Sequence, residues 1–558
     1  MYVIATAGHV DHGKSTLVHR LTGMWPDRLA EEQRRGLTID LGFAWTEIDG
    51  RQGAFVDVPG HERFVANMLA GVGPVPAVMF VVAATEGWMP QSDEHLAALH
   101  ALGVRHVLVV ISKADLADPH PAIAAVQQRI PGAPIVLGTD LDRVRAELVA
   151  LVERLPEPKR ENDIRLWVDR SFTVRGAGTV VTGTLTAGTI RVGDELEHAG
   201  RRVTVRGLQS LERDLAEVGA VARIAVNLRG VDRQGIGRGD TLRTPGAWLD
   251  TAEIDVALRN AGELHRQLVL HIGSAAVPVH VRPLGTAARL RLTRPLPLRV
   301  GDIGLLRDPG EHRIAAGVEV LDVRPPQLRR RGAARARAEE LATGRARPPV
   351  CVRANELRAM GFEATGQRVG EWVVDPHWWS ERRQQMMTAV DRWSADHDIA
   401  AGMPLETLRQ QVELPAAELV AGLLDGTGLE VADGRVRPPN TGLPPRVDKA
   451  MRAVEEWLAA DPFRAPEADE LKELNLGPKE LAAAIRAGRL TKIADGVVLG
   501  PDAVDRAAAI LKTLPQPFTV SDARRALGTT RRVAVPLLEL LDTRRITRRC
   551  DNSTRQVV

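Results

Sequence analysis

The chain has 558 residues, of which 44% are hydrophobic and 26% are charged, and its formal net charge is +3. A chain of this length does not fold around a single hydrophobic core, so several domains are expected. The composition is that of a globular chain rather than a disordered one. The two cysteines, Cys351 and Cys550, are too few and too far apart for a disulfide framework or a cysteine-built zinc site.

Membrane and secretion signals are missing from the sequence. No apolar run reaches the length of a transmembrane helix, and the N-terminus has no basic leader and no cleavage site. We therefore expect no signal peptide, no membrane association and a cytoplasmic location.

Apolar strand-like runs alternate with helical stretches over the first 155 residues. Strands are predicted at 2–7, 53–58, 78–83, 104–111 and 135–137, and helices at 15–22, 63–71, 92–102 and 141–155. This alternation indicates a mostly parallel sheet covered on both faces. We assign residues 1–160 to this α/β domain, which closes at the proline-marked sequence LPEP.

A phosphate-binding loop is predicted between the first strand and the first helix. The sequence GHVDHGKS at 8–15 has the spacing G-x-x-x-x-G-K-S. Backbone N–H groups of such a loop point at phosphate oxygens, and the helix N-terminus adds a favourable dipole. Lys14 is predicted to bridge the outer phosphates and Ser15 to ligate magnesium. The predicted nucleotide-binding residues here are Gly8, Val10, Asp11, His12, Gly13, Lys14, Ser15 and Thr16.

Two further motifs are typical of a nucleotide switch. In DVPGH at 57–61, Asp57 is predicted to hold magnesium, Gly60 to offer its N–H to the terminal phosphate, and His61 to orient the attacking water. In GLTID at 36–40, Thr38 is predicted to reach magnesium and sense the terminal phosphate.

The sequence SKAD at 112–115 follows a predicted strand and favours GTP over ATP. Asp115 can accept hydrogen bonds from the guanine N1–H and exocyclic amine, a donor pair that adenine lacks. The stem of Lys113 can lie over the base, and Ser112 is assigned to the same site.

Two antiparallel β-barrels are the simplest interpretation of residues 161–246 and 247–324, where short β-branched runs are separated by glycine turns. Beyond them the sequence is helical and repeats with a period near 60 residues, with Ala-Asp-Gly turns beginning at Ala432 and Ala494. Tandem winged-helix domains are predicted. Their bounds are 325–395 for a linker with a divergent unit, then 396–440, 441–501 and 502–558. Helical hairpins without a nucleic-acid role remain an alternative.

Arginine is concentrated in two stretches. Residues 324–349 hold eight arginines against Glu339 and Glu340, and residues 518–558 hold nine against four acids, a net of +5. Such clusters indicate either a polyanionic partner or a solvated surface, and charge alone does not separate the two.

The sequences GHVDHGKST, RGLTIDLGF and DVPGHERFV closely resemble those of the elongation factor Tu group of translational GTPases, in which two barrels follow the GTP-binding domain. The resemblance covers residues 1 to about 323. The usual guanine motif is Asn-Lys-x-Asp, so Ser112 is expected to weaken one contact that braces the loop and the base.

Three features narrow the resemblance to the selenocysteine-specific elongation factors, which show threonine at the position of Ser112. They are the barrel sequence VDRSFTVRGAGTVVTGT at 168–184, the tandem winged helices and the basic last unit. The resemblance implies a ribosome-stimulated GTPase that uses GTP/GDP and Mg²⁺ and acts as a monomer. It implies delivery of selenocysteinyl-tRNA to the ribosome at UGA codons marked by an mRNA hairpin.

The resemblance also implies particular residues. Asp169, Arg170 and Arg223 are expected to form the pocket for the selenocysteinyl group, because arginines favour the anion that a selenol readily forms. The RNA-binding residues expected in the last unit are Arg524, Arg525, Arg531, Arg532, Arg544, Arg545, Arg548 and Arg549. Two alternatives remain: a general translational GTPase, elongation factor Tu-like or initiation factor 2 gamma-like, and a nucleic-acid-binding regulator with an NTPase switch.

Overall fold

The structure is a computed structural model of the chain, and it describes residues 1–26, 38–73, 75–176, 178–396, 402–438, 443–551 and 553–558. Gly36 and Leu37 of the GLTID motif and Ala177 of the barrel sequence lie outside the described residues. The chain divides into two compact units. The first is Met1–Thr365 with Glu371–Val373, and the second is Gly366–Gly370 with Val374–Val558.

A six-stranded sheet of order β2-β3-β1-β4-β5-β6 begins the first unit. Only the β2–β3 pair is antiparallel. The strands are β1 Tyr2–Ala7, β2 Gly42–Ile48, β3 Arg51–Asp57, β4 Ala77–Ala83, β5 His106–Ser112 and β6 Ile135–Leu137. The helices are α1 Lys14–Thr22, α2 Val65–Val72, α3 Pro90–Ala101, α4 His120–Arg129 and α5 Leu141–Glu153.

The predicted α/β domain is confirmed, with two additions. Every residue of β1 and β4 is buried, as expected for central strands of a sheet covered on both faces. Two elements were not predicted: β2, an edge strand with mixed burial, and α4, whose first turn contains Pro121. A half-exposed antiparallel edge strand lacks the continuous apolar run by which the buried strands are recognised.

The next strands form the first barrel. Strand β10 pairs with both β15 and β11, which closes the ring β10-β15-β7-β8-β14-β11. Outside the ring, strand β12 pairs with β11, and β9 pairs with β13. The strands are β7 Arg165–Val174, β8 Gly178–Leu185, β9 Thr189–Arg191, β10 Glu195–His198, β11 Arg201–Ser210, β12 Arg213–Leu215, β13 Glu217–Gly219, β14 Ala222–Arg229 and β15 Thr241–Arg243.

A closed six-stranded barrel of order β16-β19-β18-β17-β20-β21 follows and confirms the second predicted barrel. Buried and exposed residues alternate along β18, as they must when one face of a strand lines the barrel interior. The strands are β16 Leu249–Arg259, β17 Gln267–Ile272, β18 Ala275–Leu284, β19 Ala287–Leu298, β20 Ile303–Asp308 and β21 Arg313–Asp322.

The first arginine-rich stretch is partly folded onto the second barrel rather than forming a linker throughout. It contains helix α6, Ala333–Leu341, and Leu341 joins a small core with residues of that barrel. Arg337 is buried, and its Nε donates a 2.7 Å hydrogen bond to a carboxylate oxygen of the fully buried Asp255. Helix α7, Ala354–Met360, follows strand β22, Cys351–Arg353, and contributes Met360 to the core of the second barrel. The charge of Arg337 is thus already paired with carboxylates of this chain.

The second unit repeats a helix, a helix pair and a β-hairpin. Its helices are α8 Pro376–Asp396, α9 Leu405–Gln411, α10 Glu418–Leu424, α11 Pro445–Ala460, α12 Ala468–Glu473, α13 Pro478–Arg486, α14 Ala503–Lys512, α15 Val520–Ala526 and α16 Arg531–Thr543. Its hairpin strands are β26 Glu430–Ala432, β27 Arg435–Arg437, β28 Thr491–Ala494, β29 Val497–Leu499, β31 Thr547–Arg549 and β32 Thr554–Val557. The short strands β25 Met403–Pro404 and β30 Phe518–Thr519 pair with β27 and β32. Strands β23 Gln367–Val369 and β24 Trp372–Val374 lie where the two units divide.

These repeats confirm the predicted winged helices, but the first helix of one of them lies earlier in the chain than predicted. Helix α8 packs against α9 and α10, whereas the predicted boundary at 395 separates α8 from that pair. The last two winged helices share one hydrophobic core, which runs from Val447 to Leu541. Within the described residues, no helix combines the length and apolarity needed to cross a membrane.

Candidate functional site

The predicted phosphate loop connects β1 to α1 in a strained, tightly packed turn. Gly8 has φ +127°, and a Cβ there would lie 2.2 Å from the carbonyl oxygen of Val81, so only glycine fits against β4. The Nζ of Lys14 donates hydrogen bonds to the carbonyl oxygens of Gly8 and His9, at 3.1 and 2.7 Å. The loop therefore curls around the ammonium group. Asp11 and Thr16 are exposed, whereas Val10 and Gly13 are half-buried.

The three residues predicted to ligate magnesium lie together at the start of α1. The Ser15 hydroxyl donates a 2.6 Å hydrogen bond to one carboxylate oxygen of Asp57 and lies 3.1 Å from the Thr38 hydroxyl. Thr6 donates a 2.7 Å hydrogen bond to the other oxygen of Asp57, which fixes the carboxylate. Two hydroxyls and one carboxylate are hard oxygen donors, the kind that Mg²⁺ prefers, so this set fits the ion.

Gly60 and His61 flank the same loop. A Cβ on Gly60 would lie 2.4 Å from the Lys14 Nζ and 2.6 Å from the Val10 nitrogen, so the backbone there approaches the phosphate loop closely. His61 is half-exposed, and its Nδ1 accepts a 3.2 Å hydrogen bond from the backbone N–H of Arg63. In the neutral ring that contact leaves the proton on Nε2.

Ser112 ends β5 and contacts the phosphate loop directly. Its hydroxyl donates a 2.6 Å hydrogen bond to the carbonyl oxygen of His12. The shorter serine side chain thus still reaches the loop backbone, and the expected weakening relative to asparagine stays a prediction. Lys113 has φ +53° and pairs with Glu86 at 3.0 Å, while Asp115 is exposed.

Two residues beside this site were not predicted from the sequence. His95 in α3 is fully buried, and its Nδ1 accepts a 3.0 Å hydrogen bond from the backbone N–H of Gly8. Gly138 follows β6 and donates a 2.7 Å backbone hydrogen bond to the carbonyl oxygen of Ile111, which brings it beside Ser112. The signal that could have found Gly138 is its position after a parallel strand, at the edge where the other nucleotide motifs lie.

Burial keeps His95 and His12 beside the phosphate loop neutral. Desolvation, together with the charge of Lys14, lowers the pKa of His95 to about 3. Desolvation also lowers the pKa of His12 to about 4, against the opposing effect of the hydrogen bond that its ring donates to the Val81 carbonyl oxygen. Both rings are therefore neutral at neutral pH, and His95 can act as a hydrogen-bond acceptor for the loop.

The residues expected to form the selenocysteinyl pocket meet on the first barrel. Asp169 on β7 binds both Nη atoms of Arg223 on β14, with the Nη2–Oδ1 distance at 2.7 Å. Thr182 donates a further hydrogen bond of 2.7 Å to Asp169. The guanidinium carbons of Arg223 and Arg170 lie 3.9 and 5.0 Å from the ring centre of Phe43 on β2. The barrel therefore touches the strand that follows the Thr38 segment.

A groove of about 790 Å³ opens beside these residues. Its lining includes Asp40, Asp169, Arg170, Arg233 and Arg238. Arg233 is exposed and forms no carboxylate pair among the residues that the structure describes. It was not predicted, because an arginine in a barrel loop resembles an ordinary surface residue.

All eight arginines predicted to bind RNA are exposed on the last winged helix. Three are already engaged: Arg525 pairs with Asp522, Arg549 with Glu539, and Arg532 with the carbonyl oxygens of Pro466 and Gly496. The others form no ion pair within the described part of the chain: Arg524, Arg531, Arg544, Arg545 and Arg548.

Three family models match the chain. They are described as elongation factor Tu GTP binding domain at residues 1–157, elongation factor Tu domain 2 at 178–243, and elongation factor SelB, winged helix, at 509–556.

Curated relatives with the name selenocysteine-specific elongation factor are similar over longer stretches. The Haemophilus influenzae protein is 30% identical over 489 residues, which are 78% of each chain. The Escherichia coli protein is 38% identical over 350 residues, 59% of this chain and 56% of that protein. The Desulfomicrobium baculatum protein is 37% identical over 365 residues, 59% and 57%. The chain thus aligns with less than two thirds of the latter two proteins.

Two solved structures share the fold. The crystal structure of a bacterial selenocysteine-specific elongation factor, EF-Sec, has a TM-score of 0.74 at 24% identity and covers 100% of this chain and 99% of that one. The structure of translation elongation factor SelB from Methanococcus maripaludis, in complex with the GTP analogue GppNHp, has a TM-score of 0.50 at 22% identity, covering 58% and 79%.

Proposed function

Because this chain belongs to the family of selenocysteine-specific elongation factors, we propose that it is a GTPase that delivers selenocysteinyl-tRNA to the ribosome. Delivery occurs at UGA codons marked by an mRNA hairpin, in the cytoplasm, by a monomer. The observation that carries the proposal is the meeting of Arg170, Arg223 and Asp169 beside the segment that follows Thr38.

The geometry of the phosphate loop supports binding and hydrolysis of GTP. Backbone N–H groups of the phosphate loop and Lys14 hold the phosphates of GTP, and Asp115 reads guanine. Ser15, Thr38 and Asp57 hold Mg²⁺, which neutralises charge on the outer phosphates when bound. His61 orients the attacking water, and the ribosome stimulates hydrolysis. The chemistry needs positioning and charge stabilisation rather than a covalent intermediate.

Guanidinium groups held in fixed positions support binding of the selenocysteinyl group. A selenolate carries a full negative charge, whereas a serine hydroxyl carries none. Asp169 orients Arg223 through two hydrogen bonds, so little side-chain entropy is lost when Arg223 meets an anion. In a partly desolvated groove the attraction between guanidinium and selenolate is stronger than in water, which favours selenocysteinyl-tRNA over seryl-tRNA.

The last winged helix supplies the proposed hairpin contact. Exposed arginines suit an RNA stem-loop, which offers phosphates and splayed bases. Attachment to the hairpin raises the concentration of the complex near one codon without any change in the pocket.

Protection of the aminoacyl ester tests this function. The GTP-bound protein should slow hydrolysis of selenocysteinyl-tRNA and leave seryl-tRNA unprotected. Arg223→Lys should lose protection by about tenfold or more, because lysine cannot reproduce the fork that Asp169 holds. Arg191→Lys is the matched control, since Arg191 lies on the same barrel in an exposed pair with Glu217. Equal protection of both tRNAs by the unsubstituted protein would overturn the proposal.

A further inference from the structure

Asp40 joins the nucleotide-binding domain to the first barrel through two arginines. One of its carboxylate oxygens accepts a 2.5 Å hydrogen bond from Arg238, and the other accepts a 3.1 Å hydrogen bond from Arg170. Arg170 also donates to the carbonyl oxygen of Leu41. Both arginines line the groove beside Asp169, so the carboxylate holds Arg170 of the proposed pocket and Arg238 next to it.

The same segment is held at the nucleotide site. Thr38 lies two residues before Asp40, and its hydroxyl is 3.1 Å from that of Ser15. The carbonyl oxygen of Ile39, between them, accepts a 2.8 Å hydrogen bond from Asn67 on α2. Arg238 donates to the side-chain oxygen of the same asparagine. Movement of residues 38–41 away from Ser15 would therefore also disrupt the hydrogen bonds that Asp40 and Leu41 accept from Arg170 and Arg238.

Electrostatics favours this arrangement. Burial raises the pKa of Asp40, but the hydrogen bond with Arg238 and the charges of Arg238 and Arg170 outweigh it, so the pKa of the carboxyl lies below its usual range. Asp40 is half-buried, and separating it from both arginines removes two charge-assisted hydrogen bonds, which favours forming or breaking these contacts together.

We propose that Asp40 is a positioning residue that couples the nucleotide state to the selenocysteinyl pocket. With Thr38 held at Ser15, Asp40 fixes the guanidinium groups of Arg170 and Arg238 at the groove. When the Thr38 segment leaves, both arginines are separated from their shared carboxylate and the groove becomes less ordered. Coupling of this kind is reciprocal, so a bound selenocysteinyl group also favours the Thr38-docked state. This inference rests on the proposed function.

The test compares tRNA affinity in two nucleotide states. Dissociation constants for selenocysteinyl-tRNA are measured from ester protection, with a non-hydrolysable GTP analogue and with GDP. In Asp40→Asn, the ratio of the two constants should move toward one by about tenfold or more, as expected for loss of a coupling of about 1.4 kcal/mol. Without tRNA, affinity for GDP should change by less than about twofold, whereas affinity for the GTP analogue should fall, because the Asp40 contacts form only in the Thr38-docked state. Asp40→Glu should restore part of the ratio.

Two controls separate coupling from mere structure. Glu153→Gln removes an exposed pair with Arg51 in the same domain and should leave the ratio unchanged. The double variant Asp40→Asn with Arg170→Gln should lose less coupling than the sum of the two single losses, because both changes break the same ion pair.

An unchanged ratio in Asp40→Asn, or an equal loss of affinity in both nucleotide states, would overturn the inference. Failure of the unsubstituted protein to prefer selenocysteinyl-tRNA over seryl-tRNA is a different result, since it would overturn the proposed function itself.

Discussion

The hydroxyl of Ser112 donates a 2.6 Å hydrogen bond to the carbonyl oxygen of His12, and this contact ties the end of β5 to the phosphate loop. Both groups are buried, so removing the donor leaves an unsatisfied carbonyl. Ser112→Ala should weaken binding of both GTP and GDP by about tenfold, equivalent to one buried hydrogen bond.

Equilibrium binding of a fluorescent guanine nucleotide measures this effect. Ser112→Thr keeps the hydroxyl and should retain most of the affinity. Unchanged binding by Ser112→Ala would mean that the loop is held in place by its other contacts.

Asp115 is expected to determine the base. Asp115→Asn should shift preference from GTP toward xanthosine triphosphate, because the amide donates a hydrogen bond where the carboxylate accepts one. Competition between the two nucleotides gives the ratio directly. Asp118→Asn, at an exposed aspartate three positions later, is the control. An unaltered ratio in Asp115→Asn would show that the base is read by other groups.

How far the sequence predicts this site depends on whether a contact is local. The phosphate loop follows from eight consecutive residues between a strand and a helix, and Ser15, Thr38 and Asp57 indeed converge. Their grouping was predictable because the motif order implies one sheet edge. The bond from Gly8 to His95 spans 87 positions, and nothing in the spacing of α3 indicates it. Contacts between domains, such as Asp40 with Arg170, depend on docking surfaces that periodicity does not encode.

His95 should make the nucleotide-binding domain sensitive to acid. Its pKa is about 3 in the folded protein against an ordinary value of 6.5, so only the unfolded chain binds this proton between those two pH values. The free energy of unfolding of this domain is therefore highest above pH 6.5 and falls as the pH is lowered toward 3. His95→Asn keeps an acceptor near the position of Nδ1 but cannot titrate, so it should flatten the slope by about 1.4 kcal/mol per pH unit.

Hydrogen exchange of peptides from residues 1–157, corrected for intrinsic rates, isolates this domain from the rest of the chain. His120→Asn replaces an exposed histidine of the same domain and should leave the slope as it was. Equal slopes for His95→Asn and the unsubstituted protein would contradict the assignment of the proton to His95.

The last winged helix should bind a stem-loop RNA through those arginines that have no partner within the described residues. Replacing Arg524 and Arg531 with alanine should weaken binding and reduce the dependence on salt by about one unit of slope for each phosphate that is no longer neutralised. Arg452→Ala, at an exposed arginine on α11, is the control and should alter neither quantity. Gel-shift titrations at several salt concentrations measure both.

Arg532 should behave differently from its neighbours. Because it donates to the carbonyl oxygens of Pro466 and Gly496, it helps hold the last two winged helices in one body. Arg532→Ala should therefore lower thermal stability, whereas Arg524→Ala and Arg531→Ala should not.

RNA affinity retained after replacement of Arg524 and Arg531 would show that RNA binds at another surface of the chain. A preference for duplex DNA over the stem-loop would favour the nucleic-acid-binding regulator instead, since a winged helix that reads a major groove uses base-edge contacts that a splayed RNA loop does not offer.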